Sequence, residues 1–398
     1  TVVYSMPDID LGTETFDVDG SISLLFDEML DPSTVNLEYI YLEESGSPIE
    51  IEYVLSEVRG KSVLDIKPYD RLGAASDFLL TLDSTLTDVL GNNVDEAILI
   101  PFSTANEHYS AINSIDDFTY TNEWWDPEGS GSTVGTLGST TYWGYSTSIY
   151  LPGTSTVQSQ KRSGFINYGW DTAAGTHLLR EYMPSGAPRN VIFDNSYTMQ
   201  CYVYGDASNN QFRFAVDEGD GTDWPGHEVS AWFDIDWVGW RLLEWDLSDP
   251  SMVGNWIGNS VLDGQAYRVD SFQMTFNSES GTAAGRIYLD NFRVVKKMPG
   301  VSIDNERIAL PQAVSLHQNY PNPFNPETVI SFDLPSSMQA QVSVFDIRGR
   351  ELEILMNDNL PSGKHTLHFN GSAYAAGVYM VVLETELGTQ AKRMLLLK

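Results

Sequence analysis

The 398-residue chain has one cysteine, six histidines, and only 22 lysines and arginines against 55 aspartates and glutamates. A single thiol excludes an internal disulfide framework. Cys201 alternates with Met199 and Val203 in TMQCYVYG, which predicts a buried structural thiol rather than a nucleophile. The shortage of positive charge leaves a formal net charge of −33, and so acidic a surface repels phosphate backbones and argues against nucleic acid as a partner. No apolar run reaches the roughly 20 residues of a membrane-spanning helix. Gly-x-Ser-x-Gly, His-Glu-x-x-His and phosphate-loop motifs are missing as well. The chain starts at Thr1 with neither methionine nor leader, so a processed or excised N-terminus is expected.

What the chain has in quantity is tryptophan, and all ten lie between Trp124 and Trp256. Five fall in WPGHEVSAWFDIDWVGWRLLEWDL, Trp224 to Leu247. So dense a set marks either a heavily packed core or a flat ligand platform. Read as a strand from Gly239, this stretch puts Leu243, Trp245 and Leu247 on one face and Trp240, Leu242, Glu244 and Asp246 on the other. The same alternation recurs around it. Met199, Cys201 and Val203 alternate with Gln200, Tyr202 and Tyr204; Phe212, Phe214 and Val216 with Arg213 and Asp217; Phe272, Met274 and Phe276 with Gln273 and Thr275. One apolar face per strand predicts an antiparallel two-sheet sandwich for residues 107–297.

Sugars offer hydroxyls at their edges and C–H groups on their faces, so their sites pair aromatic platforms with amides, carboxylates and arginine. The outward residues Gln200, Tyr202, Tyr204, Arg213, Trp240, Glu244 and Gln273, extended by Arg180, have that mixture and form the expected ligand-binding surface. Strand parity leaves the plainer alternative open, a face merely solvated or covered by loops. For catalysis, Asp234 and Asp236 with Glu228 are a conceivable carboxylate set, and His227 and His177 conceivable lyase groups. The compact Glu-x-Asp-x-x-Glu spacing of jelly-roll glycosidases is absent, so no catalytic residue is assigned.

The flanking segments are also β-rich. Residues 1–106 read as short strands such as Ser21–Phe26, Ser62–Ile66 and Asp77–Leu82, separated by turns at Asp31-Pro32 and Gly91-Asn92. Phe26 to Val35 (FDEMLDPSTV), Leu64 to Pro68 (LDIKP), Leu86 to Asn92 (LTDVLGN) and Pro101 to Thr104 (PFST) resemble a bacterial Ig-like domain of the surface-layer type, which implies a spacer. After a linker at 298–311, residues 312–398 are a third small sandwich, with Ile330, Phe332 and Leu334 alternating against Val329, Ser331 and Asp333. Its opening Asn319-Tyr320-Pro321-Asn322-Pro323-Phe324-Asn325-Pro326, Gly377-Val378-Tyr379 and Lys392-Arg393-Met394 resemble the C-terminal sorting domain of type IX secretion substrates. That resemblance implies passage through the periplasm, recognition by the type IX machinery, and a final place outside the cell or on the outer-membrane surface.

In the middle segment, Ile115 to Phe118 and Arg286 to Val295 (RIYLDNFRVV) resemble the two ends of jelly-roll carbohydrate-binding modules of the galactose-binding-like type. Parity in the last strand switches near Asp290 and Asn291, so a bulge is expected to turn Asp290 toward Asp116 or Asp117. The resemblance makes these three the candidate ligands of a structural calcium, although calcium takes six to eight oxygens.

The sequence is therefore read as all-β, with three consecutive β-sandwich domains: an Ig-like spacer (1–106), a jelly roll (107–297) and an Ig-like sorting domain (312–398). The expected function is non-catalytic attachment to extracellular polysaccharide, either alone or as the tail of a larger polysaccharide-degrading enzyme. A surface adhesin or surface-layer component that binds protein, and a dispersed-site polysaccharide lyase or hydrolase, are the competing readings.

Overall fold

Period-two alternation dominates the structure as it does the sequence: the described residues form strands and short 3-10 turns, with no α-helix. The computed structural model describes residues 1–398 except 1, 7–14, 95, 120–123, 127–132, 156, 158–159, 300–313, 318, 320–321, 335–337, 347, 361–362 and 398. Residues 300–311 of the expected linker thus lie outside the described residues, and the strand leading to it runs to Pro299. The chain divides into two compact units, Thr1–Gly300 and Val301–Lys398.

The first part of unit 1 is a two-sheet sandwich. One sheet runs Val2–Met6, Ile22–Phe26, Lys61–Pro68, Ile51–Val58, and the other runs Thr15–Phe16, Ile98–Thr104, Asp77–Leu82, Ile40–Glu44, Ser47–Ile49. Ile22, Leu24, Leu64, Ile66, Leu80 and Ile100 close a shared core. All pairings are antiparallel except the short one of Thr15–Phe16 with the Ile98–Thr104 strand.

Residues 107–299 make a second sandwich of two antiparallel sheets. The first, hereafter the covered sheet, runs Tyr142–Ser146, Ser163–Gly169, Ala284–Pro299, Thr198–Asp206, Val238–Asp246, with Glu107–Asp116 added along the far half of Ala284–Pro299. The second, the open sheet, runs Leu179–Tyr182, Ala266–Thr275, Gln211–Gly219, Gly226–Val229. Between them pack Met199, Cys201, Val203, Phe212, Phe214, Leu243, Trp245, Phe272, Met274 and Phe292. With Val216 and Leu247 they hold the apolar halves of the alternations seen in the sequence of this segment, Phe276 packs partly buried against them, and Cys201 is buried among them.

The polar and aromatic half of the Thr198–Asp206 and Val238–Asp246 strands faces the Ig-like sandwich. Trp240, Tyr202, Tyr204 and Val238 join Val63 of the first domain in a common core. The Trp240 N–H donates to Asp65 Oδ1 (3.0 Å), and its carbonyl accepts from the Ser21 (3.1 Å) and Ser23 (3.0 Å) hydroxyls. Tyr202 donates to the Asp19 carbonyl, Tyr204 and Ser56 share a hydrogen bond of 2.8 Å, and Arg293 pairs with Asp19 at 2.6 Å. Gly239 makes this approach feasible: its φ is +96°, and a β-carbon there would sit 2.7 Å from Ser23 Cβ. The two domains are therefore one body, joined by a buried polar and aromatic seam.

Unit 2 is a smaller sandwich. Ser315–Leu316, Glu327–Leu334 and Gly363–Asn370 form one sheet, and Glu351–Leu360, Met338–Asp346, Gly377–Thr385 and Gly388–Leu396 the other. Phe324, from the proline-asparagine segment, is buried with Ile330, Phe332, Val342, Val381 and Leu396. Asn322 holds that segment down, accepting from the Leu395 N–H (2.8 Å) and donating to the Arg393 carbonyl (3.0 Å).

Burial raises Asp65 from 3.8 to about 7, against the Ser23 and Trp240 hydrogen bonds that lower it. The folded chain thus holds this proton more tightly than the unfolded chain, so the contribution to stability is complete below about pH 4 and lost as pH rises through about 7. Asp65→Asn is expected to remove that slope. Thermal midpoints of both proteins between pH 4 and 8 check it: their difference must change across the window, and a constant offset would refute the assignment.

Candidate functional site

With the covered sheet occupied, the outward face of the open sheet is where side-chain chemistry gathers. Antiparallel register sets Arg180 opposite Gln273 and Gln273 opposite Arg213, so the three stand in one row across three strands. Arg213 Nε donates to Gln273 Oε1 at 2.9 Å. A second row sets Arg268 and His227 opposite Asp217. There Asp217 pairs with Arg189, with Arg268 Nε at 2.8 Å and with His227 Nδ1 at 2.9 Å. Asp270 pairs with Arg180 at 2.5 Å, and its hydroxyl neighbour Ser271 donates to it at 2.7 Å.

Aromatic rings stand over these cations. The guanidinium of Arg180 lies 4.4 Å from the Tyr182 ring centroid and 5.2 Å from that of Trp256; Arg213 lies 4.0 Å from Trp232 and Arg268 4.4 Å from Trp224. All four rings are half-buried. The tryptophans come from segments flanking the edge strand Gly226–Val229, and the Trp256 segment is pressed close against it. A β-carbon at Gly258 would lie 2.1 Å from Glu228 Oε1 and 2.2 Å from the His227 carbonyl, so only glycine lets that segment pack there. Each ring thus packs against a guanidinium of the sheet face. Each ring–arginine contact contributes roughly 0.5–2 kcal/mol.

Electrostatically the face is a charge-compensated network. Asp217 is held below its ordinary range: burial opposes this, and His227, Arg189 and Arg268 outweigh it. Asp270 goes the other way, raised by burial despite Arg180. His227 is raised by its contact with Asp217, against burial, with Asp270 adding to the rise. Asp217, His227 and Asp270 also present ligand atoms within 4.8 Å of one another. A metal ion there would compete with three arginines already holding the carboxylates.

The eight sequence-predicted ligand residues divide between the sheets. Arg180, Arg213 and Gln273 are brought together in the first row. Gln200, Tyr202, Tyr204, Trp240 and Glu244 lie on the covered sheet, so the single surface drawn from parity is corrected: the first four are buried against the Ig-like domain or the seam beside it, and Glu244, at its margin, keeps 33% of its side chain open. Gln200 is fully bonded, with Arg293 Nε donating to its oxygen (2.8 Å) and its amide donating to Tyr109 (2.8 Å) and Glu244 (2.5 Å). Glu244 is neutralised by Lys297 at 2.7 Å.

The conceivable catalytic groups do not converge either. Asp234 and Asp236 are exposed, Glu228 is buried and accepts the Asn259 and Ser260 N–H groups, and His177 Nε2 pairs with the Asp171 carbonyl at 2.8 Å. Sequence reasoning assigned no role to Trp224, Trp232 and Trp256, nor to the pairing of Asp217 with His227. The outward parity of Asp217 was the available signal for that pair.

The bulge expected in the last strand is present: register with Thr198–Asp206 shifts around Asn291, whose φ is +46°. Of the three proposed calcium ligands, Asp116 accepts from the Phe118 N–H (2.9 Å) and Trp124 Nε1 (2.8 Å), much as Asp290 accepts from the Leu151 (3.1 Å) and Asn291 (2.7 Å) N–H groups. Asp117 is exposed and Asp290 buried, and both line one polar cavity together with Asn291. Asp290 stands well above the carboxylate range, through burial first and then repulsion from Asp117 and Asp116.

Residues 318–397 match the family described as secretion system C-terminal sorting domain, and residues 1–104 the bacterial Ig-like domain. The sorting tail marks the chain for export to the cell surface or extracellular space. No helix among the described residues is long and apolar enough to cross a membrane. No curated protein matches the chain. Among solved structures, a family 11 carbohydrate-binding module of a cellulosomal cellulase from Clostridium thermocellum is 16% identical over 47% of this chain and 95% of its own, with a TM-score of 0.29. The N-terminal part of the bacterial S-layer protein SbsC is 14% identical over 39% and 40%, with a TM-score of 0.20. A β-1,2-glucanase from Parabacteroides distasonis is 11% identical over 72% and 38%, with a TM-score of 0.24. Likenesses this weak say nothing of what this chain binds.

Because Asp217 lifts the His227 pKa, the pair contributes stability that is full below about pH 6.5 and lost as pH rises through the higher folded value. His227→Gln is expected to melt below the natural protein at pH 5.5, with the gap closing by pH 8.5. A gap independent of pH would show that the imidazole is not titrating against Asp217.

Proposed function

We propose that this exported chain is a non-catalytic glycan-binding protein whose ligand lies on the open sheet. The observation that supports it best is the Arg180–Gln273–Arg213 row flanked by Tyr182, Trp232 and Trp256. A pyranose C–H face can lie against a half-buried tryptophan while its hydroxyls reach the polar side chains that stay partly open between the rings, Arg180, Arg268 and His227. The carboxylates of this face are engaged with arginines, which suits recognition better than proton transfer: a general acid or base needs a freely exchangeable proton near the reacting bond. The Ig-like domain, locked to the back of the binding domain, is a rigid spacer, and unit 2 addresses the chain to the type IX machinery.

Trp256 tests the reading because it belongs to none of the buried clusters. Trp256→Ala is expected to lower the melting midpoint by no more than the loss of its one arginine contact and to weaken retention on the recognised polysaccharide about tenfold or more. The assay is affinity retention of the full chain on a panel of soluble and insoluble polysaccharides, with reducing ends assayed in parallel. Retention without new reducing ends supports the proposal. Product release would make the chain an enzyme, and no retention on any glycan, with self-association instead, would favour the adhesin reading.

Structural calcium enters the proposal at the polar cavity, with Asp117 and Asp290 as its carboxylate donors. A cation there relieves the repulsion on Asp290, so millimolar calcium is expected to raise the thermal midpoint and chelator to reverse the rise. The shift should vanish in Asp117→Asn, and an unchanged midpoint with and without calcium would remove the metal from the account.

A further inference from the structure

The arginines of the open sheet are not equally compensated. Arg180 has Asp270, while Arg189 and Arg268 have Asp217. Arg213 has no carboxylate within 4.0 Å among the described residues. Its guanidinium meets only neutral groups: Gln273 Oε1 at 2.9 Å, the Asn255 carbonyl at 3.0 Å and the face of Trp232. Only 3% of its surface stays open. Burial, with no counter-charge to oppose it, pulls its pKa down to about 10. Gln273 beside it is fully buried and spends its oxygen on Arg213, which leaves Nε2 without an acceptor among the described residues.

A buried cation without a counter-ion, next to a buried amide donor without an acceptor, is costly. Both deficits are met by one kind of group, an anion with two coplanar oxygens. A carboxylate matches the planar guanidinium fork and has lone pairs left for an amide N–H. A sugar hydroxyl would fill the acceptor deficit and leave the charge. The neighbours of Arg213 differ: Arg180 pairs with Asp270, and Arg189 and Arg268 pair with Asp217.

We propose that the glycan bound on the open sheet is acidic, and that a uronic acid carboxylate seats on Arg213 and Gln273 between Trp232 and Trp256. This rests on the glycan-binding reading above and names its ligand class. The acidic surface of the chain repels a polyanion, but that repulsion is screened over a Debye length of about 8 Å at physiological salt, whereas a desolvated contact pair is screened much less.

The test uses the full chain at about 0.15 M salt, with a polyuronate, the same polymer fully methyl-esterified, a neutral β-glucan and a sulfated polysaccharide, by calorimetry and affinity electrophoresis. The expected result is binding to the polyuronate and a loss of about tenfold or more on esterification, which removes the charge and keeps the backbone. Arg213→Gln should produce a similar loss on the polyuronate and little change on the ester. The esterification comparison stands even where that variant folds poorly. Equal binding to acid, ester and neutral glucan, all lost in Trp256→Ala, overturns the acidic assignment and leaves the glycan site standing. Binding to the sulfated polymer alone overturns the carboxylate, and binding to none of the four overturns both readings.

Discussion

A buried carboxylate at the seam between two sandwiches organises unit 1. Asp65 lies wholly inside, accepts the Ser23 hydroxyl at 2.5 Å and the Trp240 N–H at 3.0 Å, and so ties a central strand of the Ig-like domain to the edge of the covered sheet. Around it the Trp240 ring fills space between the domains, and its Nε1 donates to the Tyr150 carbonyl at 3.1 Å. Burying an aromatic ring contributes up to roughly 2–3 kcal/mol, while an unmatched buried carboxylate costs a similar amount. The seam is therefore specific rather than merely adhesive: it holds only where both serines and the tryptophan backbone arrive together, and Gly239 allows that arrival.

This constraint decides where a ligand can go. Each strand of a sandwich offers one face to the core and one outward. Of the two outward faces of the jelly roll, one is spent on the Ig-like domain over Tyr202, Tyr204 and Trp240, together with the ion pairs of Asp19 with Arg293 and Lys67. Further pairs, Lys161 with Glu52 and Lys297 with Asp17, continue the contact past the tryptophan. What remains is the open sheet, and the half-buried tryptophans outside the core gather there.

Most of the architecture was legible in the sequence, because alternation and turn residues are local. The apolar halves of the Met199–Val203, Phe212–Val216 and Phe272–Met274 segments are buried as parity required. The bulge near Asn291 followed from a parity break between Leu289 and Phe292 in the same way. Parity also identified Trp240, Tyr202 and Tyr204 correctly as facing away from their own core. It could not say what faced them, since a partner domain more than a hundred residues away leaves no periodic trace. Arg180, Arg213 and Gln273 were named from the same parity and came together because register happened to align them across three strands. Trp224, Trp232 and Trp256 carry no such signal. They sit in irregular segments, and their placement depends on loop geometry such as the close packing at Gly258.

The chemistry of the open sheet follows from where its charges are buried. A salt bridge taken out of water gains little over apolar packing, so a network such as Asp217 with Arg189, Arg268 and His227 is better explained by orientation than by stability. Each guanidinium is fixed by a carboxylate or amide on one side and an aromatic ring on the other, which leaves few rotamers to lose when a ligand arrives. Arg213 is the exception that gives the face its direction. It is fixed by Gln273, Asn255 and Trp232, all neutral, so its orientation is set while its charge is not. In a chain this acidic a carboxylate was the easiest residue to supply beside it. No described residue supplies one within 4.0 Å, and that deficit is what the proposed acidic ligand would meet.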